Sequence, residues 1–248
     1  MPRQPILSVL GHVDSGKTTI LDAIRESKIV EGEAGGITQM IGATEIPLES
    51  VENVCGGLLQ QLDTELTIPG LLFIDTPGHA AFSSLRKRGG SISDIAILVI
   101  DVEEGVQPQT EEAIKILKQS QTPFVIALNK VDKLPGWKSE NECFTENLAY
   151  QSEKNREELD NEIYELMAEL NEYGFVIDRF DRVDNFTEKI GVVPTSAKTG
   201  EGLPELLMVV SGLAQNYLED ELDVKEGTCK ATVLEVSEHI GFGTTIYF

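Results

Sequence analysis

The chain is poor in the residues that staple or metallate small proteins. It has three cysteines in 248 residues, Cys55, Cys143 and Cys229. Their odd number, wide spacing and lack of any C-x-x-C argue against a disulfide framework and a thiolate zinc site. Three histidines are too few for a histidine-rich metal centre. Long apolar runs are missing too: the longest, Ile95 to Ile100, falls far short of a membrane span. The apolar stretch after Met1-Pro2-Arg3-Gln4-Pro5 meets Asp14 too early for a signal peptide. Basic residues are scarce, with 20 Lys and Arg against 42 Asp and Glu, a net charge of -22. The pI of about 4.4 argues against a naked nucleic-acid clamp, which needs a basic surface. A small local patch on an RNA-rich partner stays open. The expectation is a cytoplasmic protein with no membrane partner.

What is present suits a globular protein with a sizeable core: 41% hydrophobic and 25% charged residues. Ile6 to Leu10 reads as a buried strand and Thr18 to Ile29 as a helix with Ile20, Leu21 and Ile24 inward. Further strands are expected at Leu71 to Ile74, Ile95 to Asp101, Phe124 to Asn129 and Val192 to Pro194. Helical patterns separate them at Gln109 to Lys118 and Glu153 to Tyr173, and a last helix spans about Leu203 to Leu218. The strands are apolar runs without alternation, the mark of a mostly parallel sheet covered by helices on both faces, an α/β fold. Between Glu140 and Glu172 there are 11 acidic residues and only Lys154 and Arg156 as bases, which reads as a solvated outer face. Composition changes near residue 219, where Glu219, Asp220, Glu221, Asp223 and Glu226 crowd a short stretch. The expected division is residues 1–218, an acidic linker 219–228, and the incomplete start of a β-rich domain over 229–248.

Gly11-His12-Val13-Asp14-Ser15-Gly16-Lys17-Thr18 fits G-x-x-x-x-G-K-[ST] between a strand and a helix. Glycines there let backbone N–H groups curl around a phosphate, Lys17 reaches the β and γ oxygens, and Thr18 can ligate Mg²⁺. Asp14, Ser15, Gly16, Lys17, Thr18 and Thr19 are the expected phosphate-side residues. Asn129-Lys130-Val131-Asp132 fits N-K-x-D after a buried strand. A carboxylate there accepts two hydrogen bonds from guanine N1–H and its exocyclic amine, and is left unpaired by adenine. The Lys130 stem can lie over the ring. Ser196-Ala197-Lys198 follows the last strand of the sheet, where a backbone N–H can meet the guanine oxygen. Three such segments in order, each at the carboxyl end of a strand, point to GTP and GDP.

Asp75-Thr76-Pro77-Gly78-His79 ends the Leu71 strand. Asp75 can hold Mg²⁺ through water, the Gly78 N–H can sense the γ-phosphate, and His79 can polarise or orient an attacking water. His12, inside the phosphate loop, reads as structural. In Gly35-Gly36-Ile37-Thr38 the Thr38 hydroxyl can complete the Mg²⁺ shell only with a γ-phosphate present, while the glycines let the segment order and melt.

These residues resemble the translational GTPases, and among them the archaeal and eukaryotic initiation factor five-B group, counterpart of bacterial initiation factor two. The matching runs include GHVDSGKT (Gly11 to Thr18), EAGGITQMIGA (Glu33 to Ala43), FIDTPGHAAFSSLRKRGG from Phe73, NKVDKLPGW (Asn129 to Trp137), PTSAKTGEGLPELL (Pro194 to Leu207) and KATVLEVSEHIGFGTTI (Lys230 to Ile246). The EAGGITQ run is more specific to this group than the nucleotide motifs. The short lead into the first strand and Phe180-Asp181-Arg182-Val183 look archaeal. Ser15 replaces a His common in relatives, as it does in other translational GTPases. The resemblance implies a Ras-like P-loop GTPase domain followed by a β-barrel, with later domains that bind initiator tRNA outside this chain. It implies Lys17, Gly78 and His79 as catalytic residues, and Asp14 as a ligand for a monovalent cation, K⁺ or Na⁺. Val13 and Ile37 would be the apolar gate screening His79 from water until the large-subunit factor-binding site of the ribosome repositions it. The expected protein is a monomeric GTPase switch acting in subunit joining. Two alternatives are a guanine-nucleotide-gated binding module with negligible turnover, and a tRNA-carrying translational GTPase. A metabolic P-loop kinase would need an acceptor pocket that no motif supplies.

Overall fold

The computed structural model describes residues 3–26, 43–61, 66–74, 93–217, 222, 235–239 and 243–247. Seven strands form one sheet, in the order β2-β3-β1-β4-β5-β7-β6. They are β1 (Ile6–Gly11), β2 (Ala43–Pro47), β3 (Gly70–Ile74), β4 (Ile95–Asp101), β5 (Phe124–Asn129), β6 (Ile177–Arg179) and β7 (Ile190–Pro194). Every pairing is parallel except β2 with β3, where Glu45 faces Leu72 across an antiparallel ladder. Burial explains the centre: all seven residues of β4 and all six of β5 are buried. Such runs leave no polar face for solvent and so require cover on both sides.

The helices supply that cover: α1 (Lys17–Glu26), α2 (Leu48–Gln61), α3 (Pro108–Ser120), α4 (Phe144–Tyr150), α5 (Glu153–Glu172) and α6 (Leu203–Tyr217). In α5 the stripe Leu159, Ile163, Leu166 and Leu170 is buried. The Ser152 hydroxyl caps its start by accepting from Asn155 N at 3.2 Å, and Gly174 follows its end at φ +83°. Pro108 opens α3, where a missing N–H costs nothing. The expected strands and the helices α3, α5 and α6 are all present. The first helix, expected over Thr18 to Ile29, is observed as Lys17–Glu26, and 27–42 lie outside the described residues.

Four elements were not expected: β2, α2, α4 and β6. Gly56 and Gly57 sit inside α2 and read as breakers, yet packing of α2 on α6 holds the helix. In α4, Phe144 is buried and stacks on Trp137 at a ring distance of 6.2 Å. The three-residue strand β6 is held by buried Arg179, which pairs with Asp160 at 3.1 Å and Asp181 at 2.6 Å. Separately, β8 (Glu235–His239) and β9 (Gly243–Tyr247) form an antiparallel hairpin, with Val236 opposite Ile246. Within the expected acidic linker, Leu222 is buried and its carbonyl accepts from Arg3 N at 2.8 Å.

Candidate nucleotide site

At the carboxyl edge of the sheet the chain leaves β1 and turns sharply into α1. Gly11 adopts φ +146°, and a Cβ there would collide with the Val99 carbonyl of the neighbouring strand. Asp14 stands at φ +64°, a left-handed conformation unusual for a side-chain-bearing residue, and Gly16 at +96°. The loop is closed internally. The Ser15 hydroxyl donates to the His12 carbonyl at 3.0 Å, and Lys17 Nζ donates to the same carbonyl. Helix α1 starts at once, with Ile20 N on Gly16 O at 2.8 Å. Thr18 and Thr19 are exposed on its first turn, where unsatisfied N–H groups and the helix dipole favour an anion. Val13 is 55% exposed, and its N–H is held by Gln109 Oε1 at 2.8 Å.

Asn129 joins the three segments. At the end of β5 its Nδ2 donates to Ser15 O at 2.8 Å, and its Oδ1 accepts from Ala197 N at 3.0 Å. It is buried, so both bonds are made away from water. The structure thus employs both polar ends of Asn129 on the protein, as a strut between the phosphate loop and the Ser196 loop. Gly16 is required beneath it, because a Cβ would strike the amide nitrogen. Lys130, at φ +69°, reaches back over the phosphate loop. Its ammonium pairs with buried Asp101 at 2.6 Å and donates to Asp14 O at 2.6 Å. Asp132 is half-buried and accepts from the Ser196 hydroxyl at 2.7 Å. Lys198 is exposed beside them.

Behind these loops lies a second tier. Ser196 N bonds Glu201 O at 2.9 Å, while the Glu201 carboxyl accepts from Trp137 Nε1 at 3.2 Å and from the Ser139 hydroxyl. This ties the loop after Asp132 to the Ser196 loop. Gly202 follows at φ +76°, where a Cβ would collide with the Pro194 carbonyl. Burial pushes the Glu201 carboxyl above its ordinary range, its hydrogen bonds pull the other way, and nearby Glu205 raises it further.

Of the expected residues, Val13, Asp14, Ser15, Gly16, Lys17, Thr18, Thr19, Asn129, Lys130, Asp132, Ser196, Ala197 and Lys198 are brought to one edge of the sheet. Ile37, Thr38, Asp75, Gly78 and His79 lie outside the described residues. Sequence reasoning missed Asp101 and Gln109. The first carried a readable signal, an acid closing an otherwise apolar strand; the second did not, since its role arises from the packing of α3 beside β1. Among the described residues no group of three or more His, Cys, Asp and Glu is placed to hold a metal ion. No helix among them is long and apolar enough to cross a membrane.

Residues 3–216 match the family model described as the elongation factor Tu GTP binding domain. The chain is 60% identical over 246 residues to a probable translation initiation factor IF-2 of Methanopyrus kandleri, and 54% identical over 246 residues to that of Thermococcus onnurineus. Each alignment covers 98% of this chain and 41% of the relative, so the chain spans about two-fifths of their length. The crystal structure of GDP-bound aIF5B from Aeropyrum pernix superposes with a TM-score of 0.91 at 51% identity, covering 99% of this chain and 41% of that one. Elongation factor SelB from Methanococcus maripaludis, crystallised with a GTP analogue, shares the fold alone, at a TM-score of 0.56 and 20% identity over 99% of this chain and 41% of that one. A Ras-like P-loop fold, a G-x-x-x-x-G-K-[ST] loop strutted to the Asn129 and Ser196 loops and these likenesses agree: the chain belongs to the elongation factor Tu GTP-binding-domain family, as a translational GTPase of the initiation-factor-two and aIF5B kind.

Proposed function

We propose that this chain is the GTP-hydrolysing switch of a translation initiation factor, with hydrolysis triggered by the ribosome and used to release the factor after subunit joining. The observation that carries the nucleotide reading is the Asn129 strut, which fixes the phosphate loop and the Ser196 loop in one frame with Asp132 between them. A preorganised cradle of this kind loses little entropy when a ligand enters. Asp132 takes the guanine N1–H and amine; the Ala197 loop takes the guanine oxygen; Lys17, Thr18 and Thr19 take the phosphates.

Mg²⁺ would be held by the hydroxyl of Thr18, which is exposed on the first turn of α1, with Thr38 and Asp75 completing the shell in the GTP state. Bound there, the ion would neutralise charge on the phosphate oxygens. Asp14 is exposed and would face a monovalent cation. Gly78 senses the γ-phosphate, and His79 orients the attacking water once the Val13 and Ile37 gate opens. Residues 1–218 form the GTPase domain, 219–228 a linker anchored through Leu222, and 229–248 the opening of a β-barrel that includes the β8–β9 hairpin. The ribosomal factor-binding site is the partner, and initiator tRNA is bound by parts of the factor beyond this chain.

Asp132→Asn tests base choice. It replaces an acceptor of two charge-assisted bonds, each worth roughly 1.5–3 kcal/mol, so GDP affinity should fall at least about tenfold while xanthosine diphosphate gains. Calorimetric titration that finds GDP affinity unchanged would sink the assignment. His79→Ala should leave GDP binding intact and collapse single-turnover hydrolysis on ribosomes, since the residue acts only in the transition state. A variant within about threefold of the parent rate would assign His79 a structural role instead.

A further inference from the structure

Asp132 and Ser196 stand on two segments that leave the paired strands β5 and β7. Close to the sheet these segments are tied by Val131 N on Thr195 O at 3.1 Å, Ala197 N on Asn129 Oδ1 at 3.0 Å and the Ser196 hydroxyl on Asp132 Oδ1 at 2.7 Å. Glu201 ties them again, farther along both. Its backbone carbonyl accepts from Ser196 N at 2.9 Å. Its carboxyl accepts from Trp137 Nε1, 3.2 Å from each oxygen, and from the Ser139 hydroxyl. Glu201 is fully buried, so water does not compete for these bonds. The stretch between Asp132 and Trp137 is stiff. Lys133 N bonds Lys130 O at 2.9 Å, Leu134 N bonds Val131 O at 3.1 Å, and Trp137 N bonds Leu134 O at 3.0 Å. The Trp137 ring lies parallel to that of Phe144, within 5°. A shift of Trp137 is therefore carried back to Asp132.

We propose that Glu201 is a positioning residue for base choice: it closes the frame on which Asp132 and the Ala197 loop read guanine, and so sets the preference for a base carrying both an exocyclic amine and a ring oxygen. This inference rests on the guanine reading of Asp132. In that reading the amine and N1–H meet Asp132 while the oxygen meets the Ala197 loop. Both contacts reach full strength at one separation of the two segments, because hydrogen bonds weaken steeply away from their best distance and angle. Ties near the sheet alone leave each segment free to pivot about its strand end. A second tie farther out removes that freedom before the ligand arrives. Glu205, a neighbouring buried acid, is the natural contrast. Its Oε1 accepts from Thr145 N at 3.1 Å and from the Cys143 thiol at 3.0 Å, both at the start of α4. Its Oε2 has no hydrogen-bond partner among the described residues. Glu205 thus holds α4 and bonds neither Asp132 nor Ser196.

Calorimetric titration with GDP and with inosine diphosphate, which lacks only the exocyclic amine, tests it. The parent chain should prefer GDP at least about tenfold, the worth of one charge-assisted bond to Asp132. Glu201→Met keeps the bulk and removes both carboxyl oxygens, and should lower that ratio at least about threefold. Glu201→Gln can still accept from Trp137 and can donate to the Ser139 oxygen, so it should hold the ratio within about twofold of the parent's. Glu205→Gln should leave the ratio unchanged. A mere loss of folded protein scales both affinities alike and leaves the ratio where it was. Should Glu201→Met fail to fold, Trp137→Phe takes its place with the same expected fall, since it keeps a ring against Phe144 and removes the indole N–H. A parental ratio in the variant that cuts the bond overturns the proposal. So does a Glu201→Gln ratio as low as that of Glu201→Met, or an equal fall in Glu205→Gln. A parent chain that binds both nucleotides alike overturns the reading of Asp132 itself, and the proposal with it.

Discussion

Asn129 shows how one side chain can hold together two loops that lie far apart in sequence. Its amide replaces two backbone hydrogen bonds that no regular structure could supply, between loops 68 and 114 residues away in sequence. Removing it leaves the Ala197 N–H and the Ser15 carbonyl without these partners. Asn129→Ala should therefore cost about 1–3 kcal/mol of stability. It should also weaken GDP binding even if the base never touches the side chain, because the two loops lose their common frame. Urea unfolding measures the first effect and calorimetry the second; a variant with parental values for both would show that the strut is idle. Lys130 and Asp101 form a similar device in charged form. The carboxylate is almost wholly removed from solvent, so the pair is screened far less than a surface pair such as Lys133 with Glu103 at 3.2 Å.

Among the elements, α2 departs most from its local sequence. Fourteen residues, LESVENVCGGLLQQ, form a helix although two consecutive glycines interrupt it. Val51, Cys55 and Leu59 fall on one face and are buried, and the Cys55 thiol donates to Pro204 O in the first turn of α6 at 3.2 Å. That burial, with Glu205 nearby, pushes the thiol up to about 12, so it is inert as a nucleophile. Tertiary packing thus overrides a propensity penalty of roughly 1 kcal/mol per glycine. Gly57 is exposed, and a Cβ there would meet nothing. Gly57→Ala should therefore stabilise the chain by about 0.5–1 kcal/mol, a rise of roughly 1–4 °C in melting temperature. Scanning calorimetry checks this, and a fall in melting temperature would mean that the glycine serves some contact of α2.

At the scale of the whole molecule, acidity dominates. A net charge of -22 repels itself across the surface, and acids are buried as well, among them Glu201 and Glu205. Burial raises both carboxyls above the ordinary value of 4.5. The folded state then holds protons that the unfolded chain has already released. Stability from these two groups is fullest below pH 4.5 and falls as pH rises through the raised folded values, after which it levels off. Glu205→Gln keeps an acceptor for Thr145 N and cannot ionise. Its melting temperature should match the parent's near pH 4.5 and exceed it increasingly above that, up to a plateau. A difference that shrinks with rising pH would show that Glu205 is stabilised in its charged form.

The sequence by itself determined the loops at the carboxyl edge of the sheet and the middle of the sheet. Gly11 to Thr18, Asn129 to Asp132 and Ser196 to Lys198 are legible because each is a short contiguous run whose backbone task demands particular residues. The buried strands β4 and β5 are legible because seven and six apolar-rich positions in a row have no other soluble use. Tertiary structure decided the rest. The edge strand β2, with its alternating burial, becomes a strand only by pairing with β3. Strand β6 is three residues long and relies on an arginine bridging to Asp160 on α5 and to Asp181. Phe144 opens a helix too short to show a period, held by the ring of Trp137 from the preceding loop and by that of Phe180 farther along the chain. The strut role of Asn129, the partner of Lys130 and the orphaned oxygen of Glu205 all depend on which distant groups arrive beside them. A local pattern records what a segment needs from its own backbone; a partner tens of residues away leaves no mark on it.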